Sequence, residues 1–432
     1  MKRTQDVFGM SSLILPDSYV DRGSLDGILT LLTKRNIHVA IRGPSKCGKS
    51  WLRQKVTPNA LVVQCRHGFT NINIYETALA QLGIELPKES IIRHGSKEQK
   101  EGSITAGNDL IGKLSAKATI DTQTESSRKT EAVGLDVNNL QLVAKEIVKS
   151  GRRLIIEDVH YLSTEQREAL SFDLKALWDL NCFATIVGVW GDANMFVSLN
   201  TDLSGRLEEI SIEWSIEELF SIIENGSRSL NIQISKKIQT SLVGDAFGNA
   251  GLLQILLLKT LDEFKITQTQ PHSKRLEDTS KYKDAAMHVA EQLNAVYLTF
   301  GERVAKGIRH RNDSTGIYAH AMEAIIKAPD KLHMSGIPVD YIYENSIKRQ
   351  PRIQKSNLKT ILSKIDSLQV DNHGRGLVVT YDRDKEWVLN VDRQLLFYRK
   401  YQTAQWPWEN LISATVQQQL TSNNDPQLDL DF

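Results

Sequence analysis

Cysteine is scarce in this chain: Cys47, Cys65 and Cys182 are the only three in 432 residues, with no C-x-x-C pair. That spacing excludes a disulfide framework and a cysteine zinc site. Long hydrophobic runs are missing too, and the densest apolar segment, Leu252 to Leu258, is far below a membrane span. Charge of one sign is not in excess. Lys and Arg number 53 against 52 Asp and Glu, a formal net charge of +1, so any nucleic-acid-binding face must be local. The basic start, Met1-Lys2-Arg3, is followed by an apolar run (Leu13, Ile14, Leu15) too short for a signal peptide. The ten histidines lack metal-ligand spacing, and neither G-x-S-x-G nor H-E-x-x-H occurs. What remains is an ordinary globular composition, 41% hydrophobic and 24% charged, pointing to a soluble, cytoplasmic, reduced protein with no membrane partner. The length suggests two or three domains.

Against this background one stretch stands out. Gly43-Pro44-Ser45-Lys46-Cys47-Gly48-Lys49-Ser50 has the form G-x-x-x-x-G-K-S, between an apolar run (Ile37, Val39, Ile41) and a helix-like segment, Trp51 to Val56. Strand, loop and helix in that order are the context a phosphate-binding loop requires. Its glycines let backbone N–H groups turn onto phosphate oxygens, and the helix start adds a positive dipole end. Lys49 would reach the β- and γ-phosphates, and Ser50 would hold Mg²⁺. Cys47 fills a free position of the loop as a small residue.

A helix is expected over Leu25 to Arg35, with strands over Asn36 to Arg42 and Ala60 to Cys65 and a helix from about Asn73 to Leu82. Residues 86–137 are rich in Ser, Thr, Lys, Glu and Gly and contain no Phe, Trp or Tyr, as in a solvated insertion. Yet Leu114, Ala116, Ala118 and Ile120 alternate with polar residues, so a hairpin or pairing with neighbouring subunits is the other reading. A helix over 140–149 precedes Leu154 to Val159, an apolar run interrupted by Glu157 and Asp158, which fits a strand buried on both faces. One carboxylate would position Mg²⁺ and the other would orient water. His160, next in line, reads as structural. Ser163 with Gln166 forms a capping-box pattern for a helix through Leu180, and strands follow at Phe183 to Trp190 and Leu207 to Ile212.

From Ser215, itself capped with Glu218, the pattern is helical only: 216–225, 236–247, 250–264 and, after a polar linker from Thr267 to Ser280, Tyr282 to Lys306. The last region reads as three helices (317–327, 338–347, 355–366) and a hairpin (Leu377 to Tyr381, Trp387 to Leu389), the order of a winged helix-turn-helix. The expected domains are therefore 1–214, carrying the phosphate loop; 215–306, a helical lid; 307–401, a winged helix; and a flexible polar tail, 402–432.

The combination of Tyr19-Val20-Asp21-Arg22, the Gly43–Ser50 loop, Leu154 to Asp158 and Gly205-Arg206 resembles the AAA+ and STAND-type ATPases, in the origin-recognition-like branch with a C-terminal winged helix. The resemblance implies an α/β P-loop NTPase fold with a five-stranded parallel sheet, a helical lid, and ATP with Mg²⁺ bound between subunits of a homo-oligomer. It also implies a nucleotide-binding set running from Gly43 through Trp51, together with Tyr19 and Arg22. Lys49, Glu157 and Asp158 would carry catalysis, with Ser50, Glu157 and Asp158 around the metal. Arg206 would act on a neighbour's γ-phosphate, where a guanidinium is worth ~10³–10⁵ in rate. Asp192 and Asn194 are both candidates for the polar sensor after the fourth strand.

Two departures stand out: Glu-Asp replaces the Asp-Glu of many relatives, and Gly251 stands where many have arginine. The first leaves the split of roles between Glu157 and Asp158 open; the second fits slow hydrolysis and a switch rather than a motor. From Glu344 to Lys364 six basic residues (Lys348, Arg349, Arg352, Lys355, Lys359, Lys364) face one acid, with Arg309 and Arg311 nearby, as in a DNA-contacting recognition helix. Two functions follow. One is an ATP-driven switch that oligomerises and controls an effector protein, a layout that by resemblance occurs in anti-phage defence. The other is a DNA-binding ATPase for replication initiation or transposition targeting.

Overall fold

The structure, a computed structural model, describes residues 1–84, 137–191, 193–306, 315–369, 377–383, 385–402 and 404–412. The insertion expected at 86–137, with its alternating strand, falls outside the described residues except at Val137, as do Asp192, Arg309 and Arg311.

The N-terminal unit is a parallel sheet with helices on both faces. In chain order it contains α1 (Ser24–Thr33), β1 (His38–Arg42), α2 (Lys49–Val56), β2 (Leu61–Gln64), α3 (Asn71–Ala80), α4 (Leu140–Lys149) and β3 (Leu154–Glu157). After these come α5 (Thr164–Asp179), β4 (Ala184–Gly188), α6 (Met195–Leu199) and β5 (Leu207–Ser211). The strand order is β2-β3-β4-β1-β5, all parallel. Strands β3 and β4 are buried along their whole length, because helices cover both faces. The edge strands β2 and β5 alternate between buried and more exposed positions. Leu29, Leu32 and Leu52 of α1 and α2 fill one face; Ile74, Val143, Leu170 and Leu174 fill the other. Ser163 caps α5 through Gln166 N–H, but the Gln166 side chain accepts from Asn71 N–H instead of closing the box, whereas the Ser215–Glu218 box is complete.

The register fixes what matters for function. Ile41 pairs with Val187 and Glu157 pairs with the same Val187, so the end of β1 and the end of β3 lie level with β4 between them. Two strand spacings separate them by about 10 Å.

The second unit comprises α7 (Ile216–Leu230), β6 (Ile232–Ile234), α8 (Lys236–Asp245), α9 (Ala250–Glu263), β7 (Lys274–Leu276) and α10 (Thr279–Lys306). It is not helical only: β6 and β7 pair in parallel, and β7 lies within the expected polar linker. Its core takes in Val7 and Phe8 from the far N-terminus and Phe397 from the C-terminal unit. The Phe8 ring occupies the space over Gly226, where a Cβ would stand 2.1 Å from it.

The third unit contains α11 (Ile317–Ile326), α12 (Asp330–Ser335), β8 (Ile337–Pro338), α13 (Val339–Ile347), α14 (Lys355–Leu362), α15 (Ile365–Gln369), β9 (Val379–Asp382), β10 (Trp387–Asn390) and α16 (Gln394–Tyr401). The three helices and the hairpin arrive in the expected order. The short strand β8 completes a β8-β10-β9 sheet, and α12 and α15 are additional. The start of the expected flexible tail is packed: Trp406 and Trp408 stack at 4.7 Å and are buried against Phe300 and Tyr398.

His38 is fully buried, with Nε2 at 2.8 Å from Leu174 O and Nδ1 accepting from Ala184 N–H. Burial, helped by the nearby Arg153, pushes its pKa down to about 4; burial and Arg399 do the same to His333. The unfolded chain takes up these protons near pH 6.5 and the folded chain refuses them until about pH 4. Stability is therefore present in full above pH 6.5 and falls as the pH drops toward 4. Urea midpoints measured from pH 7 to pH 5 should decline, and His38→Gln should flatten the slope.

Candidate functional site

A cavity of about 460 Å³ opens where the loop after β1, the end of β3, the lid and the N-terminal segment meet. Ser45, Lys46, Cys47, Gly48, Lys49, Ser50 and Trp51 all line it, as do Glu157, Asp158, Tyr19 and Arg22. Gly43 and Pro44 lie behind the wall and offer their carbonyls: Lys49 Nζ donates to Gly43 O at 3.0 Å and to Pro44 O at 2.7 Å. Gly48 caps α2, which directs that helix's first N–H groups at the cavity, a geometry suited to anions. Cys47 is buried filler, its Sγ packed under Gly43.

Lys46 is the strained residue of the loop, with φ at 61°. A non-glycine residue there costs of order 1–3 kcal/mol and needs support from its surroundings. Support comes from three sides. Gly251 N–H donates to Lys46 O at 3.0 Å, Asn249 Nδ2 donates to Ser45 O at 2.8 Å, and Lys46 Nζ donates to Gln394 Oε1 at 3.1 Å. The absence of a side chain at Gly251 thus has a steric cause: a Cβ there would lie 2.5 Å from Lys46 O. Arg393, next to Gln394, sits close over Gly248, and burial lowers its pKa from the usual guanidinium value.

At the far wall Tyr19 Oη donates to Asp26 at 2.5 Å, and burial with this bond pushes its pKa well up. The Arg22 guanidinium stacks on Trp214 at 4.3 Å and pairs loosely with Asp26 at 3.8 Å. Its Nε and Nη1 have no hydrogen-bond partner among the described residues. The N-terminal segment closes this side, Ser11 O accepting from Trp51 Nε1 and Ser12 O from Gln54 Nε2.

The two carboxylates separate in environment. Glu157, the last residue of β3, is buried against Arg53 of α2. Asp158 turns out of the strand with φ 59° and accepts from Gln64 Nε2 at 2.9 Å. His160, expected to be structural, lines the same cavity; burial pushes its pKa down to about 4, against the pull of Asp158. Arg53, Gln64 and Gln254 are among the cavity residues that the sequence motifs do not name; the one local signal for Arg53 is that it stands four residues after Lys49, on the same helix face.

A hydroxyl (Ser50) and two carboxylates in one cavity form an oxygen donor set that fits Mg²⁺. Among the described residues no group of three or more His, Cys, Asp or Glu side chains is placed to hold a metal alone, so phosphate oxygens and water would complete the shell. Bound there, the ion would supply charge neutralisation of the phosphates.

Other expected residues lie elsewhere. Asn194 is outside the cavity: it precedes α6, and its N–H donates to Glu209, which also holds Arg42 and Trp190. Arg206 stacks on Trp178 at 4.8 Å and donates to Asp202 O, while its own carbonyl accepts from His38 N–H. That places it beside the start of β1, roughly 17 Å of strand from its own chain's loop. In the basic stretch, Arg349 pairs with Glu323 at 2.8 Å, Lys355 with Asp340 and Lys359 with Glu386. Lys348 donates to Asn345, and Arg352 to Gln350. Among the described residues no helix is long and apolar enough to cross a membrane.

The parallel order β2-β3-β4-β1-β5, the loop after β1 and the carboxylates at the end of β3 define an α/β P-loop fold. No family model and no curated protein matches the sequence. Similar solved structures include the Orc1 protein of Aeropyrum pernix in complex with DNA (12% identity, TM-score 0.38, covering 93% of this chain and 95% of that one). Another is the STAND protein PH0952 of Pyrococcus horikoshii, with a tetratricopeptide repeat sensor (12% identity, TM-score 0.36), of which the chain spans 47% while 98% of the chain is covered. A third is AMPPCP-bound DnaA of Aquifex aeolicus (12% identity, TM-score 0.34, 80% of this chain, 88% of that one). At these scores functional assignment rests on the chain's own residues.

Placing an arginine at the lid, Gly251→Arg, should destabilise the protein by about 1–3 kcal/mol through overpacking against the loop backbone. A lowered denaturation midpoint with no gain in ATP turnover is the expected result; an accelerated turnover would contradict it.

Proposed function

We propose that the chain is a nucleotide-driven switch, binding ATP with Mg²⁺ at the Gly43–Ser50 loop, hydrolysing it slowly, and assembling with further copies to control an effector protein. The supporting observation is the seat of the C-terminal unit on the loop itself. Lys46, strained and central, is bonded both to the lid through Gly251 and to α16 through Gln394. Phosphates that draw the Lys46 ammonium or move the loop must therefore disturb the hold on the C-terminal unit. In this reading Lys49 and the start of α2 hold the phosphates, Ser50 and the carboxylates take the metal, and Asp158 orients water under the control of Gln64. Arg206, remote from its own loop, completes a neighbour's site. A defence setting against phage belongs to the same proposal, through the resemblance of the layout.

The DNA-binding reading has less support. Three of the six basic residues between Glu344 and Lys364, namely Arg349, Lys355 and Lys359, already meet carboxylates from outside the basic stretch.

Mass measurement on wild type and Lys49→Ala with ADP, ATP, and ATP plus DNA tests both readings. Wild type should form a larger species in ATP than in ADP, Lys49→Ala should stay at the ADP size, and DNA should add no mass. ATP-independent size in wild type would sink the switch; salt-sensitive DNA capture would favour the alternative. Arg206→Ala should lose about 10³-fold or more in turnover. Mixing it with Lys49→Ala should return part of the rate, since each variant supplies what the other lacks.

A further inference from the structure

Lys49 and Arg53 stand one helical turn apart on α2, so both side chains leave the same face toward the end of β3. Both line the cavity. The Arg53 guanidinium places Nε and Nη2 each 3.0 Å from one oxygen of Glu157, Oε1, with both side chains about nine-tenths buried. The second oxygen, Oε2, is not engaged by Arg53. A carboxylate buried beside a phosphate site repels the phosphates unless a cation offsets it, and in a P-loop site the divalent metal is the usual cation. Here a fixed cation from the chain already sits on that carboxylate.

We propose that Arg53 is a resident counter-charge and positioning residue for Glu157, so that nucleotide binding depends little on divalent metal and the metal requirement falls on hydrolysis alone. Arg53 holds Glu157 by Oε1, in a fixed rotamer, at the cavity wall. Asp158, whose side chain accepts from the neutral amide of Gln64, is the carboxylate that changes partners during turnover. The inference rests on the nucleotide-binding reading above, since only a phosphate ligand makes the charge balance of the cavity matter.

The test is a titration of the full chain with fluorescently labelled ADP and ATP, once in EDTA and once in excess Mg²⁺. Wild type should show dissociation constants within about threefold of each other in the two conditions. Arg53→Met should bind about tenfold or more weakly in EDTA and recover most of that loss in Mg²⁺, while Arg53→Lys falls between the two. The double variant Arg53→Met with Glu157→Gln, which removes both charges, should regain metal-independent binding. A merely structural role for Arg53 would weaken binding equally in both conditions, without rescue by the second substitution, and would overturn the proposal. So would a wild type weakened more than about 30-fold by EDTA. Should Arg53→Met fail to fold, Glu157→Gln alone decides: its uncancelled Arg53 should tighten binding in EDTA, and unchanged or weaker binding refutes the idea. Absence of nucleotide binding by wild type in either condition would instead remove the nucleotide-binding reading itself.

Discussion

The approach of the lid to the phosphate loop at Gly251 and Lys46 is the contact on which much else depends. It brings backbone to backbone, N–H to carbonyl at 3.0 Å, at the one loop residue whose φ is left-handed without being glycine. A side chain on Gly251 would prop the two apart. With the lid seated, Asn249 reaches Ser45, Arg393 lies over Gly248 and Gln394 reaches Lys46. The lid and the C-terminal unit thus converge on two consecutive loop residues, Ser45 and Lys46. The strain of Lys46 is tolerable only because that convergence holds it, and anything that loosens one contact weakens the case for the others.

The acidic end of β3 shows a second kind of economy. The parallel register delivers two neighbouring carboxylates to the same level as the loop, and the left-handed turn at Asp158 sends them to different partners: a buried guanidinium for Glu157, an exposed amide for Asp158. A charged partner fixes a side chain; a neutral one lets it go at little cost. The reversed order of the acids relative to many AAA+ proteins is therefore matched by a division of environment.

What the sequence made legible was what chemistry ties to spacing. The loop, the carboxylate pair, the five strands and the helices of the lid all follow from local pattern. Less visible were features joined across distance. Arg53 and Glu157 are 104 positions apart, and neither motif predicts the other. The three-residue strands β6 and β7 are too short to leave a period. Phe8, far from the lid in sequence, has no local reason to enter its core. The ion-pair partners of the basic stretch were hidden for the same reason: Glu323, Asp340 and Glu386 all lie outside residues 344–364. The tail's polarity hid Trp406 and Trp408, whose burial depends on Phe300 rather than on their neighbours.

Helix α10 carries a mechanical consequence. Its first half, with Tyr282, Ala286 and Val289, belongs to the lid core, and its second half, with Tyr297, Phe300 and Val304, belongs to the core of the C-terminal unit. Helix α16 repeats the arrangement on a smaller scale, sending Phe397 one way and Tyr398 the other. Two units that share beams cannot swivel independently; they tilt together. With 28 residues α10 is a rod of about 42 Å, so a tilt of about 5° about one end sweeps the other through about 4 Å.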